Sequence, residues 1–454
     1  MTETRRSRVA FDFTPLLEHY GESRGIRLCL DVDHLPTLPA LLRECLPSGP
    51  RWQLVFDHNT WRVAGERVLE TVTGDGHAPA ITCTELGSAL HRSALRATVE
   101  EAEALQSQFE SGGVSAAIAV GSGTINDLVK MAAFGAGIPC ACVATAPSMN
   151  GYTSSAASLL DAGIKVTRPC SPPVLCFADT EVLRRAPMRM VQSGFGDLLS
   201  RPVSGADWYL SHVLEGTPYD TKALELIHQA EKLMRELSGR LTEGDTTAIA
   251  ALTAALWISG LAMDVAGTSA PSSGGEHLIS HYLDMTAFAH GLPYDLHGCQ
   301  VGVSTLISAH LYRRLLELEA DDLEPAHELL EWRDKPAELK KHFGPLWPSL
   351  RDDALTSIGT AEGNAHRLQR LRERWPEIRA NLRSLLRTPD EIREDLIKAR
   401  APTSFCDLDI SEMRAHNAVR FARYIRPRYS ILDLAEELGR LEVWLHEALA
   451  EMTR

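Results

Sequence analysis

The chain has no C-x-x-C spacing, no cluster of basic residues and no apolar run of membrane-spanning length. Each absence removes a class of protein. Its nine cysteines, at positions 29, 45, 83, 140, 142, 170, 176, 299 and 406, are scattered and odd in number. A zinc ribbon or a disulfide framework is therefore not expected. They read as mostly buried, reduced thiols, which suits a cytoplasmic protein. The formal net charge is -14, with no block of lysine or arginine. Neither nucleic acid nor an anionic membrane surface is an expected partner, and any phosphate site must be local. The best membrane candidate, "AIAALTAALWISGLAM" (248–263), falls short of the roughly 20 residues a span needs and runs into Asp264. It is expected to be a central buried helix. The stretch "MTETRRSRVAFDF" holds no run of signal-peptide length.

What remains is a chain of 454 residues with 44% hydrophobic content, ample for one large core or for two domains. The first part alternates strand and helix patterns. "RWQLVFD" (51–57), "VSAAIAV" (114–120), "IPCACVATAP" (138–147) and "PPVLCFAD" (172–179) read as strands, with helical patterns between them. Such alternation implies a mostly parallel sheet covered on both faces. After Asp179 nearly everything has helical periodicity, for example 220–240, 245–266, 303–319, 365–387 and 431–451. The charged segment 321–345 reads as an exposed helical insertion. The expected organisation is an α/β domain over residues 1–180 with a parallel sheet, then an all-α domain over 181–454. A cleft between two such domains is a usual place for a ligand.

Four stretches carry chemistry. In "AVGSGTINDLVK" (119–130) a buried strand ends in a Gly-Ser-Gly turn and a helix begins. Glycines let backbone approach a ligand, and a helix N-terminus offers free N–H groups to a pyrophosphate. The third glycine of the Rossmann fingerprint is missing. Asp127 would repel a pyrophosphate and is expected to point towards a substrate hydroxyl. The second stretch, "ATAPSMNGYTSSAAS" (144–158), is a hydroxyl-rich loop at the same edge of the sheet. In the third, "SGFGDLLSRPVSGADW" (193–208), Asp197 follows a small, flexible turn and opens an apolar helix, where an N-cap role is the plain alternative. The fourth, "GGEHLISHYLDMTAFAHGLPYDLHG" (274–298), holds four histidines: His277, His281, His290 and His297. Two of them stand at i, i+4, yet the zincin H-E-x-x-H does not apply.

These motifs, in this order, resemble the sn-glycerol-1-phosphate dehydrogenase family, within the superfamily of dehydroquinate synthase and iron-dependent alcohol dehydrogenases. The resemblance runs from about Trp52 to "YIRPRYSILDLAEELG" (424–439). It implies a dehydroquinate synthase-like fold: an N-terminal α/β dinucleotide-binding domain and an all-α C-terminal domain. It implies one divalent metal, zinc or nickel, held by Asp197, His277 and His297, with these ligands and His281 as the catalytic set. His281 is expected on the substrate, as are Asn150 and Asp197, and nothing marks His290. NAD or NADP is expected on Asp57, Gly121, Ser122, Gly123, Thr124, Asp127, Thr145, Ser148 and Ser154. An acidic Asp57 at the end of the first strand would favour NAD, with Arg62 close enough to leave NADP open.

Two departures from the family pattern bear on the substrate. Asn150 stands where the family loop has aspartate, and Arg201 near where it tends to have lysine; an arginine there can still bind phosphate. The implied reaction is reversible reduction of dihydroxyacetone phosphate to sn-glycerol 1-phosphate. The rivals are reduction of another small ketone, a dehydroquinate-synthase-like cyclisation of a sugar phosphate, and a scaffold that has kept the fold. The apolar helices suit a homodimer.

Overall fold

In the computed structural model, residues 14–87, 95–324 and 335–452 are described. Strands β1 (Arg27–Asp31), β2 (Arg51–Asp57), β3 (Ala80–Leu86), β4 (Ala116–Gly121), β5 (Cys140–Ala144) and β8 (Leu175–Asp179) form one sheet. Its order is β1-β8-β5-β4-β2-β3 and every pairing is parallel. β4, β5 and β8 are buried at every position, the pattern of strands covered on both faces. Apolar residues of β2, β4, β5 and β8 pack into one core cluster, and Val55, Ala117, Ala119 and Cys140 into another. Between β5 and β8 an antiparallel hairpin joins β6 (Ala156–Asp161) to β7 (Ile164–Pro169). Its two-residue turn places Ala162 and Gly163 at positive φ (48° and 84°), the geometry that follows strand twist.

The sequence pattern located β2, β4, β5 and β8 within two residues at their carboxyl ends, apart from β5. It missed β1, β3 and the hairpin. β3 is partly exposed along most of its length, so its apolar signal is weak. β1 is a five-residue edge strand.

The chain forms two compact units. One holds 1–194 and 229–264, and the other holds 195–228 and 265–454. The first thus contains the sheet and also the Thr246–Ala266 helix as far as Asp264, despite the all-helical character of the sequence after Asp179. That helix has 21 residues, matching the helical periodicity of 245–266 and extending beyond the apolar run 248–263 at both ends, with Asp264 inside it. By length and composition it could cross a membrane, yet 83% of its most apolar window is buried inside the protein.

Among its described residues the second unit has helices and connecting loops and no strand. Two long helices expected from periodicity are each broken in two. At 365–387 the break is Arg374, where Trp375–Pro376 begins a new helix, as proline favours at a first turn. At 431–451 the break is Gly439, at φ 64°. Of the charged segment 321–345, residues 325–334 lie outside the described residues, and Lys335–Phe343 is helix.

All nine cysteines are free; Cys83 and Cys406 are exposed, and five are buried. Burial pushes the Cys170 thiol up to about 11 and the Cys140 thiol up to about 12, which makes them inert packing groups.

Candidate dinucleotide turn and metal centre

The sheet reverses its winding between β2 and β4. From β2 the chain runs outward to β3, and from β4 it runs the other way to β5. Ligands of open α/β sheets bind at the carboxyl ends of strands flanking such a point. Val55 pairs with Ala119, so Asp57 and Gly121, each two residues further on, end adjacent strands level with each other. Ser122 then caps the Gly123–Gly135 helix in extended conformation, with no side-chain cap bond. The first-turn N–H groups of that helix are therefore left for a ligand. Gly121 is needed for the turn, because a Cβ there would lie 2.6 Å from the Ile125 side chain. Asn126, 1% exposed, has no partner for either side-chain polar atom among the described residues, an orphan at the same turn.

The other expected dinucleotide residues fall at this edge, with two qualifications. Asp57 caps its own helix: Oδ1 accepts from Thr60 N–H at 2.7 Å. Asp127 does not face outward. Its Oδ1 pairs with Lys130 Nζ at 3.1 Å and its Oδ2 accepts from Ser158 N–H at 3.2 Å. The expectation that it points to a substrate hydroxyl overlooked a lysine one helical turn on. Thr145 N–H donates to Gly121 O at 3.1 Å, tying the hydroxyl-rich loop to the glycine turn. Thr145, Ser148 and Ser154 are buried, and Asn150 is half-buried.

The second unit holds the histidine cluster. Asp197, His277 and His297 each offer a ligand atom, and these atoms all lie within 4.8 Å of one another. His277 Nε2 is 3.3 Å from Asp197 Oδ1, while its Nδ1 is 2.7 Å from Glu276 Oε1. His297 Nδ1 is 3.0 Å from Ser280 Oγ, and that hydroxyl also lies 3.4 Å from Gln300 Oε1 and 3.5 Å from His297 O. Each imidazole thus has one nitrogen fixed by a neighbour, the arrangement that orients the other as a ligand. One carboxylate and two imidazoles form an N/O donor set suited to a divalent transition ion, with positions left open. The residues present fit such an ion.

The charged groups of the cluster stabilise one another. Burial pushes the Asp197 carboxyl up, but His277, Arg201 and His297 outweigh it and hold it well below the usual range. Burial likewise lowers His277, and its bonds to Asp197 and Glu276 reverse that.

Sequence reading placed Asp197 at a helix start after a flexible turn. It sits instead inside the Met188–Leu199 helix. Gly194 and Gly196 are helical and serve close approach: a Cβ on Gly194 would lie 1.9 Å from Pro147 O, and one on Gly196 2.2 Å from Gly298 O. Arg201 is 1% exposed, and its guanidinium donates to Asp197 Oδ1 at 3.1 Å and to Ser272 O. It braces the carboxylate, which the phosphate-binding reading did not anticipate.

His281 lies beside the cluster, its ring centroid 6.2 Å from that of His277 and 5.4 Å from that of His297. It is outside the three-residue ligand set. His290 ends the helix, exposed. Sequence reasoning missed Glu276, Ser280 and Asp207. The Asp207 carboxylate accepts from Gly275 N–H at 2.7 Å, Ile431 N–H at 2.8 Å and Tyr312 O–H at 2.5 Å, which fixes the start of the His277 helix. Burial and the nearby Glu276 push it up to about 7. A glutamate directly before a candidate ligand was the one available signal.

The fold is similar to solved structures of glycerol dehydrogenase from Schizosaccharomyces pombe (TM-score 0.61, 16% identical, 94% of this chain and 91% of that one). It is also similar to sulfoacetaldehyde reductase from Bifidobacterium kashiwanohense in complex with NAD+ (TM-score 0.57, 16% identical, 94% and 98%). Residues 30–187 match the family of iron-containing alcohol dehydrogenases. The glycerol-1-phosphate dehydrogenase [NAD(P)+] of Bacillus licheniformis is 30% identical over 410 residues, 89% of this chain and 86% of the relative. That of Pyrococcus horikoshii is 34% identical over 267 residues, 59% and 73%. The chain belongs to the glycerol-1-phosphate dehydrogenase family of oxidoreductases.

Proposed function

We propose that the chain reduces dihydroxyacetone phosphate reversibly to sn-glycerol 1-phosphate with NADH or NADPH and one divalent metal ion, zinc or nickel. The observation that carries the reading is the convergence of Asp197, His277 and His297 in a chain of this family. These three residues would hold the ion. The chemistry it supplies when bound is polarisation of a ketone and stabilisation of developing alkoxide charge. The hydride belongs to the nicotinamide. The protein's own part is to bind, align and manage a proton. Gly121, Ser122, Gly123 and Thr124 take the pyrophosphate at the helix N-terminus, with Thr145, Ser148 and Ser154 beside it. Asp57 keeps one carboxylate oxygen for a ribose hydroxyl. Asp127 helps only indirectly, by bracing the turn.

Asn150 and His281 are the substrate contacts in this reading. His281 is 7% exposed and hands the proton to the nascent alkoxide, directly or through a water. Free, largely buried thiols and a buried apolar helix suit a cytoplasmic enzyme, and a homodimer is part of the proposal.

Asn150 in place of aspartate supports one alternative, reduction of another small ketone. Purified protein loaded with zinc or nickel, offered dihydroxyacetone phosphate, other ketones and a heptulosonate phosphate with NADH or NADPH, separates the cases. Dinucleotide consumption with dihydroxyacetone phosphate is expected. Cyclisation of the heptulosonate phosphate without net dinucleotide use overturns the proposal.

A further inference from the structure

Lys130 is a charged side chain with no solvent contact. Its side chain is 0% exposed, and its Nζ donates to the backbone carbonyls of Gly151 at 2.7 Å, Ala156 at 2.7 Å and Ser154 at 3.3 Å. Asp127 pairs with it at 3.1 Å. A buried ammonium is tolerated only where acceptors replace its hydration. Here three of the four acceptors are main-chain groups of a single loop. That loop begins at Ser148 and carries Asn150 and Ser154. The Ser154 hydroxyl lies within donating distance of two of the same carbonyls, Gly151 O at 3.1 Å and Ala156 O at 3.0 Å.

The opposite side of the loop is held by the Thr246–Ala266 helix, through residues of the same compact unit. Thr153 Oγ1 donates to Trp257 O at 2.7 Å, and Ser155 donates to Asp264 Oδ1 from N at 2.8 Å and Oγ at 2.7 Å. A Cβ on Gly260 would lie 2.2 Å from Thr153 Oγ1 and 2.5 Å from Asn150 O. The loop has no regular secondary structure to define it. Its shape is set by a cation on one side and a helix at contact distance on the other.

We propose that Lys130 is a positioning residue for the reaction: its ammonium fixes the 148–156 loop in the shape that presents Asn150 to the ketone, while touching neither substrate nor dinucleotide. This rests on the reading above that Asn150 meets the substrate. A lysine that only filled core space would be replaceable by an apolar side chain of like length. A lysine that shapes the loop leaves three carbonyls without a donor when replaced, and the loop relaxes first.

Two measurements on full-length Lys130→Met test this. Hydrogen exchange of the apo protein reads the loop directly and needs no substrate. Amides of 150–156 are expected to exchange at least ~10-fold faster than in wild type, with β5 unchanged. Steady-state kinetics on the metal-loaded enzyme is expected to show KM for dihydroxyacetone phosphate raised at least ~10-fold, with a smaller fall in kcat. Lys130→Gln, which keeps an N–H₂ donor, is expected between wild type and the methionine variant, and carries the same comparison if Lys130→Met does not fold. Gly260→Ala, which presses the loop from the other side, is expected to raise the same KM with Lys130 intact. Loop amides at the wild-type rate overturn the proposal, as does equal acceleration of loop and β5. If wild-type protein does not reduce dihydroxyacetone phosphate, the function above fails, while the exchange data still decide whether Lys130 shapes the loop.

Discussion

A Cβ on Gly196 would stand 2.2 Å from the carbonyl oxygen of Gly298. Gly196 precedes Asp197 and Gly298 follows His297, so this backbone-to-backbone contact is what brings a carboxylate and an imidazole from distant parts of the sequence into one cluster. Gly302, one turn on, faces Gly196 as well, with a Cβ there 3.1 Å from the Gly196 Cα. Gly196→Ala must push the two helices apart. The expected cost is about 1–3 kcal/mol of stability, together with loss of bound metal, measured by thermal unfolding and by metal analysis of the purified variant.

Under the proposed function, removing a metal ligand and removing a substrate contact are expected to leave different signatures. His277→Ala is expected to lose bound metal and to lower kcat/KM by roughly 10³-fold, about 4 kcal/mol of transition-state stabilisation. His281→Ala is expected to keep its metal and to lose ~10²–10⁴-fold in kcat. Metal content measured beside kinetics distinguishes the two. Loss of metal from the His281 variant would move that residue into the ligand set.

Glu276 is fully buried, with one oxygen on His277 and the same oxygen accepting from Gly274 N–H at 2.8 Å. Glu276→Gln can still accept at that oxygen but loses the charge that strengthens the imidazole as a ligand. Metal affinity is expected to fall ~10–100-fold, read by competition with a chelator rather than by activity.

His342 gives the fold an acid sensitivity away from the site. Its Nε2 is 2.7 Å from Tyr282 Oη, and its ring stacks on Phe421 at 3.6 Å. Burial pushes its pKa down from 6.5 to about 4, with Arg420 and His290 also lowering it and Glu338 opposing. The unfolded chain therefore binds a proton at this position that the folded chain refuses between those values. Stability from this group is present above pH 6.5 and is lost progressively as pH falls from 6.5 towards 4. His342→Gln, which still offers Tyr282 an acceptor, is expected to flatten the fall of Tm over that range. An unchanged slope would assign the acid sensitivity elsewhere.

The residues of the candidate site were easier to read from the sequence than the path of the backbone between them. A buried strand running into Gly121-Ser122-Gly123 is a local pattern, and so the glycine turn between strand and helix was legible from periodicity and glycines. The metal set was not local. His277 and His281 share a helix face and form the pair that spacing suggests, and only family resemblance moved the ligand role from His281 to His297. The resemblance named Asp197 but could not show that Gly196 is helical and pressed on Gly298. Lys130 and Glu276 were invisible for a different reason: a charged residue on an amphipathic stretch reads as solvated until its burial is known. The same holds for Arg201, whose charge suggested a phosphate and whose burial commits it to Asp197.

Turnover is the most direct test of the proposed reaction. Wild-type protein and His277→Ala, each supplied with zinc or nickel, would be mixed with NADH and dihydroxyacetone phosphate, and loss of reduced nicotinamide followed alongside formation of glycerol phosphate. The expected result is steady, metal-dependent oxidation of NADH by the wild type, sn-glycerol 1-phosphate as product, and near-complete loss in the variant. Metal-loaded wild-type protein that binds NADH and leaves dihydroxyacetone phosphate unreduced, or a His277→Ala variant as active as wild type, would contradict it.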